Sequence, residues 1–322
     1  MKFLNIPVDN PWFLAPMAGV TDGAFRTVCR QAGAALTYTE MISAKALLHR
    51  DSKTARMMAI SDDHAPCIIQ IFGSEPHVLA EGAKIALELE PKSPAIDINM
   101  GCPVPKVAGY GEGSALMGDL PRAAAIIESV KKAVPVPVTV KFRSGLDAEH
   151  INAVEFARMA VQSGADAVCV HGRTREQYYT GKSDRGIIAA VKQAVPVPVI
   201  ASGDAMTAED CRSLMAETGA DFVMVARGAQ GDPWIFSELT GRPFSRTTAE
   251  VVRVMKHQAA LACAHKGEER AMREVRKHLL WYMDRLIGAK PYKVKLSYVS
   301  TLAELDSICE EILQADLQRK EW

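Results

Sequence analysis

Short apolar runs alternate with amphipathic segments along the first two-thirds of the chain. The apolar runs cover residues 13–15, 36–39, 67–71, 95–98, 136–141, 167–170, 197–201 and 222–226. The segments between them have helical spacing of apolar residues, for example at 76–89, 121–133, 149–163 and 207–217. The last of these begins with a Thr-Ala-Glu-Asp capping pattern. Eight strands alternating with helices predict an α/β fold, a (β/α)8 TIM barrel around a parallel sheet.

Two pieces of this pattern repeat. Ala-Val-Pro-Val-Pro-Val at 133–138 recurs at 194–199, and Ser-Gly-Ala-Asp-Ala-Val at 163–168 is echoed by Thr-Gly-Ala-Asp-Phe-Val at 218–223. Self-similarity in units of two strand–helix pairs favours a barrel over a doubly wound open sheet. A second explanation is that the same local motif, a helix followed by a proline turn and a buried strand, occurs twice. This explanation also implies an α/β protein.

The pattern changes after Trp234. Residues 241–245 have the composition of a linker, and the rest of the chain shows helical periodicity over 249–265, 268–287 and 300–318 without a strand signal. We therefore predict two domains, a catalytic barrel at 1–241 and a small C-terminal all-helical domain at 242–322.

Composition and charge narrow the class of protein. Of the 322 residues 48% are hydrophobic, and 38 Lys+Arg balance 38 Asp+Glu, so no whole-chain field points to a polyanionic partner. Basic residues nevertheless outnumber acidic ones between 253 and 295, which predicts a basic face or an ordinary solvated helix surface. Seven scattered cysteines without metal-type spacing, and no apolar stretch that could cross a membrane, indicate a cytoplasmic protein without a metal site.

Polar residues follow almost every predicted strand. In a barrel of this kind the C-terminal strand ends form the active site, so these residues are the candidates for chemistry. They are Thr21 and Asp22 after strand one, Gln70 in strand three, Asp97 and Asn99 in strand four, Lys141 and Arg143 in strand five, His171 and Arg173 after strand six, Ser202 to Asp204 after strand seven, and Arg227 after strand eight.

Cys102 is the strongest catalytic candidate. It lies between Gly101 and Pro103 directly after strand four, where a small side chain at the barrel mouth suits reactivity better than packing. With an ordinary pKa of about 8.5 a thiol is mostly protonated at neutral pH, so Cys102 can act as a general acid or, if its pKa is depressed, as a nucleophile. The other six cysteines are interpreted as structural.

The last two strands end in Gly203, Arg227 and Gly228. These residues predict a phosphate site after strands seven and eight, where barrels commonly bind phosphate through backbone amides and a helix N-terminus. Lys141 and His171 would project into the mouth, where a cation can stabilise negative charge on a cofactor ring. The Gly-rich segment 109–113 has no strand before it, so we interpret it as a lid over Cys102 and not as a dinucleotide loop.

On these residues the chain resembles the tRNA-dihydrouridine synthases, FMN-dependent reductases of uridine in tRNA, and is most similar to their bacterial B-type branch. The resemblance is carried by APMAGVTD at 15–22, DINMGCP at 97–103, GSAL at 113–116, HGRT at 171–174 and GDPWIF at 231–236. It extends through Arg276-Lys277-His278 and Trp281-Tyr282, and so covers nearly the whole chain.

The resemblance implies an FMN site. The residues expected to hold the cofactor are Pro16, Met17 and Ala18 at the first strand, Gln70, Lys141 and His171 on the isoalloxazine side, and Ser202, Gly203, Asp204, Ala226 and Arg227 at the phosphate. The family usually has Asn where this chain has Ser202, and Gly where it has Ala226. The phosphate half therefore departs from the family pattern.

The resemblance also implies the reaction. Reduced FMN would deliver hydride from N5 to C6 of uracil while Cys102 protonates C5 from the opposite side. Lys141 would stabilise the charge left on the flavin, and NADPH would reduce the flavin at the same mouth in a ping-pong scheme.

The implied substrate is tRNA, whose stacked target base must be extruded into the mouth. Tyr178 and Tyr179 could flank that base or simply pack. The helical domain would bind phosphates through cations chosen from Arg270, Arg273, Arg276, Lys277, Lys293 and Lys295, some of which could equally belong to a solvated face. The residues predicted to contact the substrate are Asn99, Arg143, Arg173, Tyr178, Arg276 and Lys277.

Two other functions stay open at this point. A flavin barrel acting on a free pyrimidine would share the chemistry, and the basic tail argues against it. A catalytically silent RNA-binding barrel is the alternative from another class, and the presence of Cys102, Lys141 and Arg227 argues against that.

Overall fold

The computed structural model describes residues 1–315 and 317. All eight predicted strands are present and form one parallel sheet. They are β1 (Trp12–Leu14), β2 (Thr37–Ser43), β3 (Cys67–Phe72), β4 (Ile96–Met100), β5 (Val138–Arg143), β6 (Ala167–His171), β7 (Val199–Ser202) and β8 (Phe222–Val225).

The sheet closes into a barrel. From β2 to β8 each strand pairs with the next one along the sequence, and β8 pairs with β1. The remaining gap between β1 and β2 is bridged where the Leu14 N–H donates to the Leu36 carbonyl at 2.9 Å. Closure satisfies both edges of the sheet, and it confirms the predicted (β/α)8 TIM barrel.

Helices follow the strands, and the longer ones cover the outside of the barrel. They are α1 (Gly23–Ala32), α2 (Ala44–Leu48), α3 (Ser52–Met58), α4 (Pro76–Leu89), α5 (Pro105–Ala108), α6 (Leu120–Ala133), α7 (Ala153–Gln162), α8 (Arg185–Ala194), α9 (Ala208–Thr218) and α10 (Ile235–Thr240). The predicted cap of α9 is present, since Thr207 and Asp210 form a reciprocal capping box. Helix α7 begins at Ala153, later than the predicted residue 149, because Asp147 instead caps a turn through the N–H groups of Glu149 and His150.

The internal repeat has a structural cause. In the first copy the Asp166 carboxylate accepts the Val138 N–H at 2.7 Å and the Lys131 ammonium group at 2.6 Å. In the second copy Asp221 accepts the Val199 N–H at 2.8 Å and Lys192 at 2.7 Å. Each aspartate ties the start of its own strand to the start of the strand before it and to the helix that leads into that earlier strand, α6 in the first copy and α8 in the second. The Gly-Ala-Asp repeat is therefore one anchoring device used twice.

An N-terminal hairpin that the pattern did not predict closes the other end of the barrel. Lys2–Phe3 pairs with Ile6–Pro7, and the Phe3 ring packs edge-on against Phe13 and Phe222 with centroids 5.2 Å and 5.1 Å away. Strands this short carry no periodic signal. The hairpin leaves the C-terminal strand ends as the open mouth.

The tail after residue 241 is helical, as predicted, and has its own apolar core. Its helices are α11 (Thr248–Lys266), α12 (Glu268–Asp284), α13 (Lys290–Leu296) and α14 (Leu302–Ala315). Helix α13 was not predicted, and residues 316 and 318 of the predicted last helix lie outside the described residues. Across residues 1–315 and 317, no helix has the length and apolar content needed to span a membrane.

The tail helices dock on the barrel beside α1. Val28 of α1 and Trp234 after β8 belong to the same apolar core as α11 and α12. Gly231 has φ +68° and lies so close to α12 that a Cβ there would be 2.3 Å from the Trp281 carbonyl oxygen. The loop after β8 and the backbone of α12 are thus in direct contact.

Candidate active site

A cavity of about 390 Å³ occupies the mouth of the barrel. It brings together most of the residues that the sequence suggested: Pro16, Met17, Ala18, Gln70, Asn99, Cys102, Lys141, Arg143, His171, Ser202, Gly203, Asp204, Ala226 and Arg227. Arg173, Tyr178, Arg276 and Lys277 are not among its lining residues. Within the described part of the chain, no group of three or more His, Cys, Asp or Glu side chains is placed to hold a metal ion.

Strand register explains why these side chains meet. Asn99 on β4 is the partner of Lys141 on β5. Arg143, His171 and Ser202 are aligned on three neighbouring strands. Because neighbouring positions on parallel strands present their side chains to the same face, cations and amides collect at one level of the mouth.

Cys102 is held in its turn through its backbone. Its N–H donates to Asn99 Oδ1 at 2.9 Å, and its carbonyl oxygen accepts the Ser114 N–H at 3.1 Å and hydroxyl at 2.9 Å. A Cβ on Gly113 would be 2.9 Å from that carbonyl, so the end of the Gly-rich segment packs directly on the cysteine. The thiol itself is left unconstrained by these bonds and faces the cavity.

Burial raises the pKa of the Cys102 thiol, and the Val104 N–H, Arg143 and Lys141 oppose that shift only in part. A raised pKa keeps the thiol protonated at neutral pH. Of the two roles considered for Cys102, the environment favours the general acid over the thiolate nucleophile.

A chain of buried hydrogen bonds leads from Asp97 to Cys102. The Gln70 amide NH2 donates to Asp97 at 2.6 Å, and the Asn99 amide NH2 donates to Gln70 Oε1 at 2.9 Å. Asn99 Oδ1 then accepts the N–H groups of Gly101 and Cys102. Since Asp97 can only accept while ionised, it orients the Gln70 amide, which in turn orients Asn99.

Asp97 is a residue whose role the sequence did not reveal. Burial raises its pKa to about 6, although the hydrogen bonds from Gln70 and Thr139 and the charge of Lys141 lower it. Its side chain is 1% exposed and does not line the cavity. It therefore acts on the site through Gln70 and Asn99.

The mouth is strongly cationic around His171. Burial, together with Lys141, Arg143, Arg173 and Arg227, lowers the pKa of His171 well below its usual range. The imidazole is therefore neutral at physiological pH, and its Nδ1 accepts the Arg173 N–H at 3.1 Å. A site whose cations suppress protonation of a histidine attracts an anionic ligand.

At the end of β7, Gly203 has φ +122°, and a Cβ there would be 2.3 Å from Ser183 Oγ. Glycine is thus required both by the backbone conformation and by the close approach. The next residue, Asp204, forms a 2.7 Å ion pair with the buried Arg173 and lies 3.6 Å from Arg227. Because the Asp204 carboxylate is anionic and already paired, this residue can meet a phosphate only through its backbone.

Two adjacent tyrosines are placed differently. Tyr178 has φ +50°, and its hydroxyl donates to the Pro103 carbonyl at 2.7 Å, which braces the turn that holds Cys102. Tyr179 lines the cavity and is 55% exposed. Its ring is stacked by Arg227 at 4.8 Å and approached by Arg143 at 5.9 Å. Tyr179 is thus the tyrosine at the mouth. Tyr178, for which a substrate contact was predicted, does not line the cavity.

Arg143 and Arg173 are structural anchors as well as charges. Arg143 donates to the carbonyl oxygens of Gly101 at 2.9 Å and Thr174 at 2.8 Å. Arg173 donates to the carbonyl oxygens of Thr180 at 3.0 Å and Gly181 at 2.6 Å. Both are buried. Both side chains hold the loop after β6 through hydrogen bonds to its backbone carbonyl oxygens. Their positive charges nevertheless contribute to the electrostatic potential in the cavity.

Most cations of the tail are paired. The ion pairs are Arg270 with Glu274, Arg273 with Glu269, Lys293 with Asp284, Lys295 with Glu311 and Lys256 with Asp306. Arg276 donates to the carbonyl oxygens of Val299 and Tyr298. Among residues 1–315 and 317, the tail cations outside any ion pair include Arg242, Arg276, Lys277 and Lys290. The solvated-face interpretation thus fits much of the basic segment.

A TIM barrel whose mouth brings together a thiol, a lysine and two arginines has the polar cavity of a barrel enzyme. Comparisons with known proteins narrow this class. The sequence profile described as dihydrouridine synthase (Dus) matches residues 13–319. The chain belongs to the dihydrouridine synthase family, which confirms the predicted resemblance and the predicted oxidoreductase.

Relatives match along almost their whole length. The chain is 39% identical over 320 residues to tRNA-dihydrouridine synthase B of Pseudomonas aeruginosa, covering 97% of this chain and 95% of the relative. It is 38% identical to tRNA-dihydrouridine synthase B of Shewanella oneidensis, covering 94% and 95%. A probable tRNA-dihydrouridine synthase of Mycobacterium leprae is 36% identical, with coverage of 93% and 87%.

Solved structures share the barrel at much lower identity. Histamine dehydrogenase from Rhizobium sp. 4-9 matches 79% of this chain with a TM-score of 0.56 at 12% identity. A complex of 2-naphthoyl-CoA reductase matches 76% with a TM-score of 0.59, also at 12% identity. The chain spans about half of each of those chains, 49% and 52%. These likenesses concern the fold, and they agree with the TIM barrel.

Proposed function

We propose that the protein is a tRNA-dihydrouridine synthase that uses FMN to reduce the C5–C6 double bond of uridine in tRNA. The observation that carries the proposal is one cavity lined by Cys102, by Lys141 and by the two arginines Arg143 and Arg227. An acid, a ring-facing cation and an anion site are the three elements that such a reduction requires.

The residues of the mouth fit FMN. The cations that lower the pKa of His171 suit a phosphate monoester, and the space beside Lys141 and Gln70 suits a polar ring. The cofactor would lie against Pro16, Met17 and Ala18, with its phosphate near Gly203 and Arg227. When bound and reduced, FMN would supply the hydride for C6 of the uracil, and a proton added at C5 completes the reduction.

Cys102 supplies the proton. Its raised pKa keeps hydrogen on Sγ at neutral pH, and Sγ delivers it to C5 of the uracil. The hydrogen bond from the Cys102 N–H to Asn99 and the two from Ser114 to its carbonyl hold the backbone of the turn and so place the residue that carries the thiol at the cavity. Neutral His171 adds no competing acid at the mouth.

The substrate enters as an extruded base. Removing one uracil from the RNA stack costs a few kcal/mol, which contacts in the mouth must offset. Tyr179, stacked by Arg227 and reached by Arg143, offers a flat face and two cations at the entrance. Of the predicted substrate contacts, Asn99 and Arg143 line the cavity, whereas Arg173 and Tyr178 hold the loops beside it.

The proposal includes NADPH as electron donor, a cytoplasmic location and a division into the catalytic barrel at 1–241 and a tRNA-binding helical domain at 242–322. NADPH would use the same mouth, since the barrel is the module with a cavity for the flavin. Arg276 and Lys277 were predicted to meet RNA, and of these Lys277 has its ammonium group outside any ion pair in residues 1–315 and 317.

The visible absorption spectrum tests the cofactor. Purified protein, reconstituted with FMN and desalted, should keep flavin bands in stoichiometric amount, and loss of all flavin on desalting would refute the redox function. Reduced protein should then be reoxidised under anaerobic conditions by unmodified tRNA. Reoxidation by free uracil or orotate but not by tRNA would support the free-pyrimidine alternative.

Cys102→Ala separates proton delivery from flavin binding. We expect tRNA-dependent reoxidation to slow by about 10²- to 10⁴-fold, the usual contribution of a general acid, while NADPH-dependent flavin reduction stays unchanged. Cys211→Ala is a matched control, because that thiol is buried in the barrel core away from the mouth. Equal loss in both variants would contradict the role of Cys102.

A further inference from the structure

The loop after β1 separates two cavities. Residues 15–18 and Val20 line the active-site cavity. Gly19, Asp22 and Gly23 line a second cavity of about 450 Å³, which the helical tail closes with Lys266 and Lys277. The loop therefore has the candidate FMN site on one side and the tail helices on the other. A contact that positions the loop from the side of the tail therefore also positions one wall of the active-site cavity.

The loop is internally rigid between Met17 and Thr21. The Thr21 hydroxyl accepts the Met17 N–H at 3.0 Å and donates to the Met17 carbonyl at 3.2 Å. The N–H groups of Val20 and Thr21 donate to the same carbonyl at 2.9 Å and 3.1 Å. Gly19 donates its N–H to Glu40. A displacement of Thr21 is therefore passed to Met17, which lies in the active-site cavity.

Asp22, the next residue, connects this turn to the tail. Its Oδ1 accepts the Phe25 N–H at 3.0 Å and so caps α1. Its Oδ2 accepts the ammonium group of Lys266, the last residue of α11, at 2.5 Å. Lys266 also donates to Glu274 of α12 at 2.7 Å. One carboxylate thus serves two elements, with one oxygen for each.

The Asp22–Lys266 pair is shielded from water. The side chains are 15% and 19% exposed. Burial on its own would raise the pKa of Asp22, but Lys266 and the other groups around the carboxylate lower it overall. The pair is therefore ionised, and removing Lys266 leaves the largely buried Asp22 carboxylate without its ion-pair partner.

We infer that Lys266 is a positioning residue for the flavin site: through Asp22 and Thr21 it holds the loop that carries Pro16, Met17 and Ala18. The inference rests on the proposed function for the identity of the ligand. The helical tail then has a second task besides RNA binding, since the site is complete only while α11 is docked. Lys266 does not line the active-site cavity, so it acts on the site through the loop.

Three variants test the inference. Asp22→Asn keeps the cap of α1, because Asn is an equally good N-cap residue, but its amide no longer pairs with Lys266. Lys266→Met removes the charge and keeps much of the side-chain volume, and Asp22→Asn/Lys266→Met removes both charges. Lys256→Gln is the matched control, since it breaks an ion pair of 2.8 Å within the tail that does not involve the loop.

Two readouts apply to each variant, FMN affinity by fluorescence titration of the apoprotein and hydrogen exchange of the 17–21 amides. If the loop of a variant occupies its binding-competent position in about a tenth of the molecules, the apparent Kd for FMN rises about tenfold. We expect this rise and faster exchange in both single variants, no further rise in the double variant, and wild-type values in Lys256→Gln. Lys266→Arg should restore affinity because it retains the charge.

Unchanged FMN affinity and unchanged exchange in folded Lys266→Met and Asp22→Asn would overturn the inference. So would a loss of affinity that Lys256→Gln matches, because the effect would then be a general loss of stability. If Lys266→Met does not fold, Asp22→Asn and Lys266→Arg decide the question. Failure of the wild-type apoprotein to bind FMN would refute the proposed function, whereas the exchange measurement would still report the Lys266 contact.

Discussion

Asn99 Oδ1 accepts the backbone N–H of Cys102 at 2.9 Å, so a side chain from β4 fixes the turn that carries the thiol. The same oxygen accepts the Gly101 N–H at 3.1 Å. Asn99 thereby spans the junction between a regular strand and an irregular loop. The position of Cys102, the candidate acid, therefore depends on the Asn99 amide.

Asn99→Ala should misplace the thiol without removing it. We expect tRNA-dependent reoxidation of the reduced flavin to fall by about 10²-fold, the effect of an error of about 1 Å in the position of a catalytic group. Stopped-flow absorbance at the flavin band measures it, with NADPH-dependent reduction as the internal reference. Asn10→Ala is the control, because Asn10 accepts the Trp12 N–H at 3.0 Å in a similar turn away from the mouth. Equal rates in both variants would contradict the positioning by Asn99.

The pH dependence of the same step should report Cys102. An acid is competent while protonated, and burial raises the pKa of this thiol. The rate should therefore be independent of thiol ionisation through neutral pH and fall as pH rises through that raised pKa. Cys102→Ala should lack this alkaline limb at its lower rate. A rate that increases with pH through the alkaline range would point to a thiolate and against the acid.

Asp97 offers a test of the buried hydrogen-bond chain. Its folded pKa of about 6 lies above the unfolded value, so ionisation destabilises the fold as pH rises from about 4 to 6. Asp97→Asn can accept from Gln70, donate to the Thr139 hydroxyl and stay neutral. Relative to wild type it should therefore gain stability with rising pH, by on the order of 2–3 kcal/mol. Urea unfolding at pH 4.5 and pH 7.5 measures the difference.

Asp97→Ala should behave in the opposite way. It leaves the Gln70 amide without its acceptor, at a cost of about 1–3 kcal/mol, and it frees the amides that orient Asn99. Both stability and the tRNA-dependent rate should fall. If Asp97→Ala lost stability but kept the wild-type rate per folded molecule, the chain from Asp97 to Cys102 would have no functional role.

Gly231 and Gly241 form a matched pair for testing how the tail is docked. Their φ values are +68° and +66°, yet a Cβ on Gly231 meets the Trp281 carbonyl at 2.3 Å, whereas nothing lies within 4 Å of one on Gly241. Gly241→Ala should cost only the left-handed strain, about 1–2 kcal/mol. Gly231→Ala should cost a further 1–3 kcal/mol or more, about the range for overpacking. Thermal unfolding compares them, and equal losses would contradict tight docking.

The barrel was predictable because its strands are buried on both faces and separated by helices of regular period. The N-terminal hairpin and α13 were not. Lys2–Phe3 and Ile6–Pro7 are too short to show alternation, and α13 begins Lys-Pro-Tyr-Lys, with polar residues where a helical stripe would be expected. Length and periodicity decide what a sequence pattern can reveal.

The site was predictable where position along a strand sufficed. Lys141 and His171 follow directly from strand ends, and the cavity does contain them. The role of Asp97 depends on Gln70 from another strand, so it required the strand register. Tyr178 and Tyr179 were indistinguishable in sequence, and the positive φ of Tyr178 turns one ring towards Pro103 and leaves the other at the mouth.

The ion pairing of the tail has a consequence for how RNA affinity responds to salt. Each RNA phosphate neutralised by a free cation releases counterions and steepens the dependence of the affinity on salt. Carboxylates such as Glu269, Asp284 and Glu311 already do much of that neutralisation within the protein. Affinity should therefore fall only gently as ionic strength rises, and discrimination among RNAs would come from the fit of a folded surface and not from attraction at a distance.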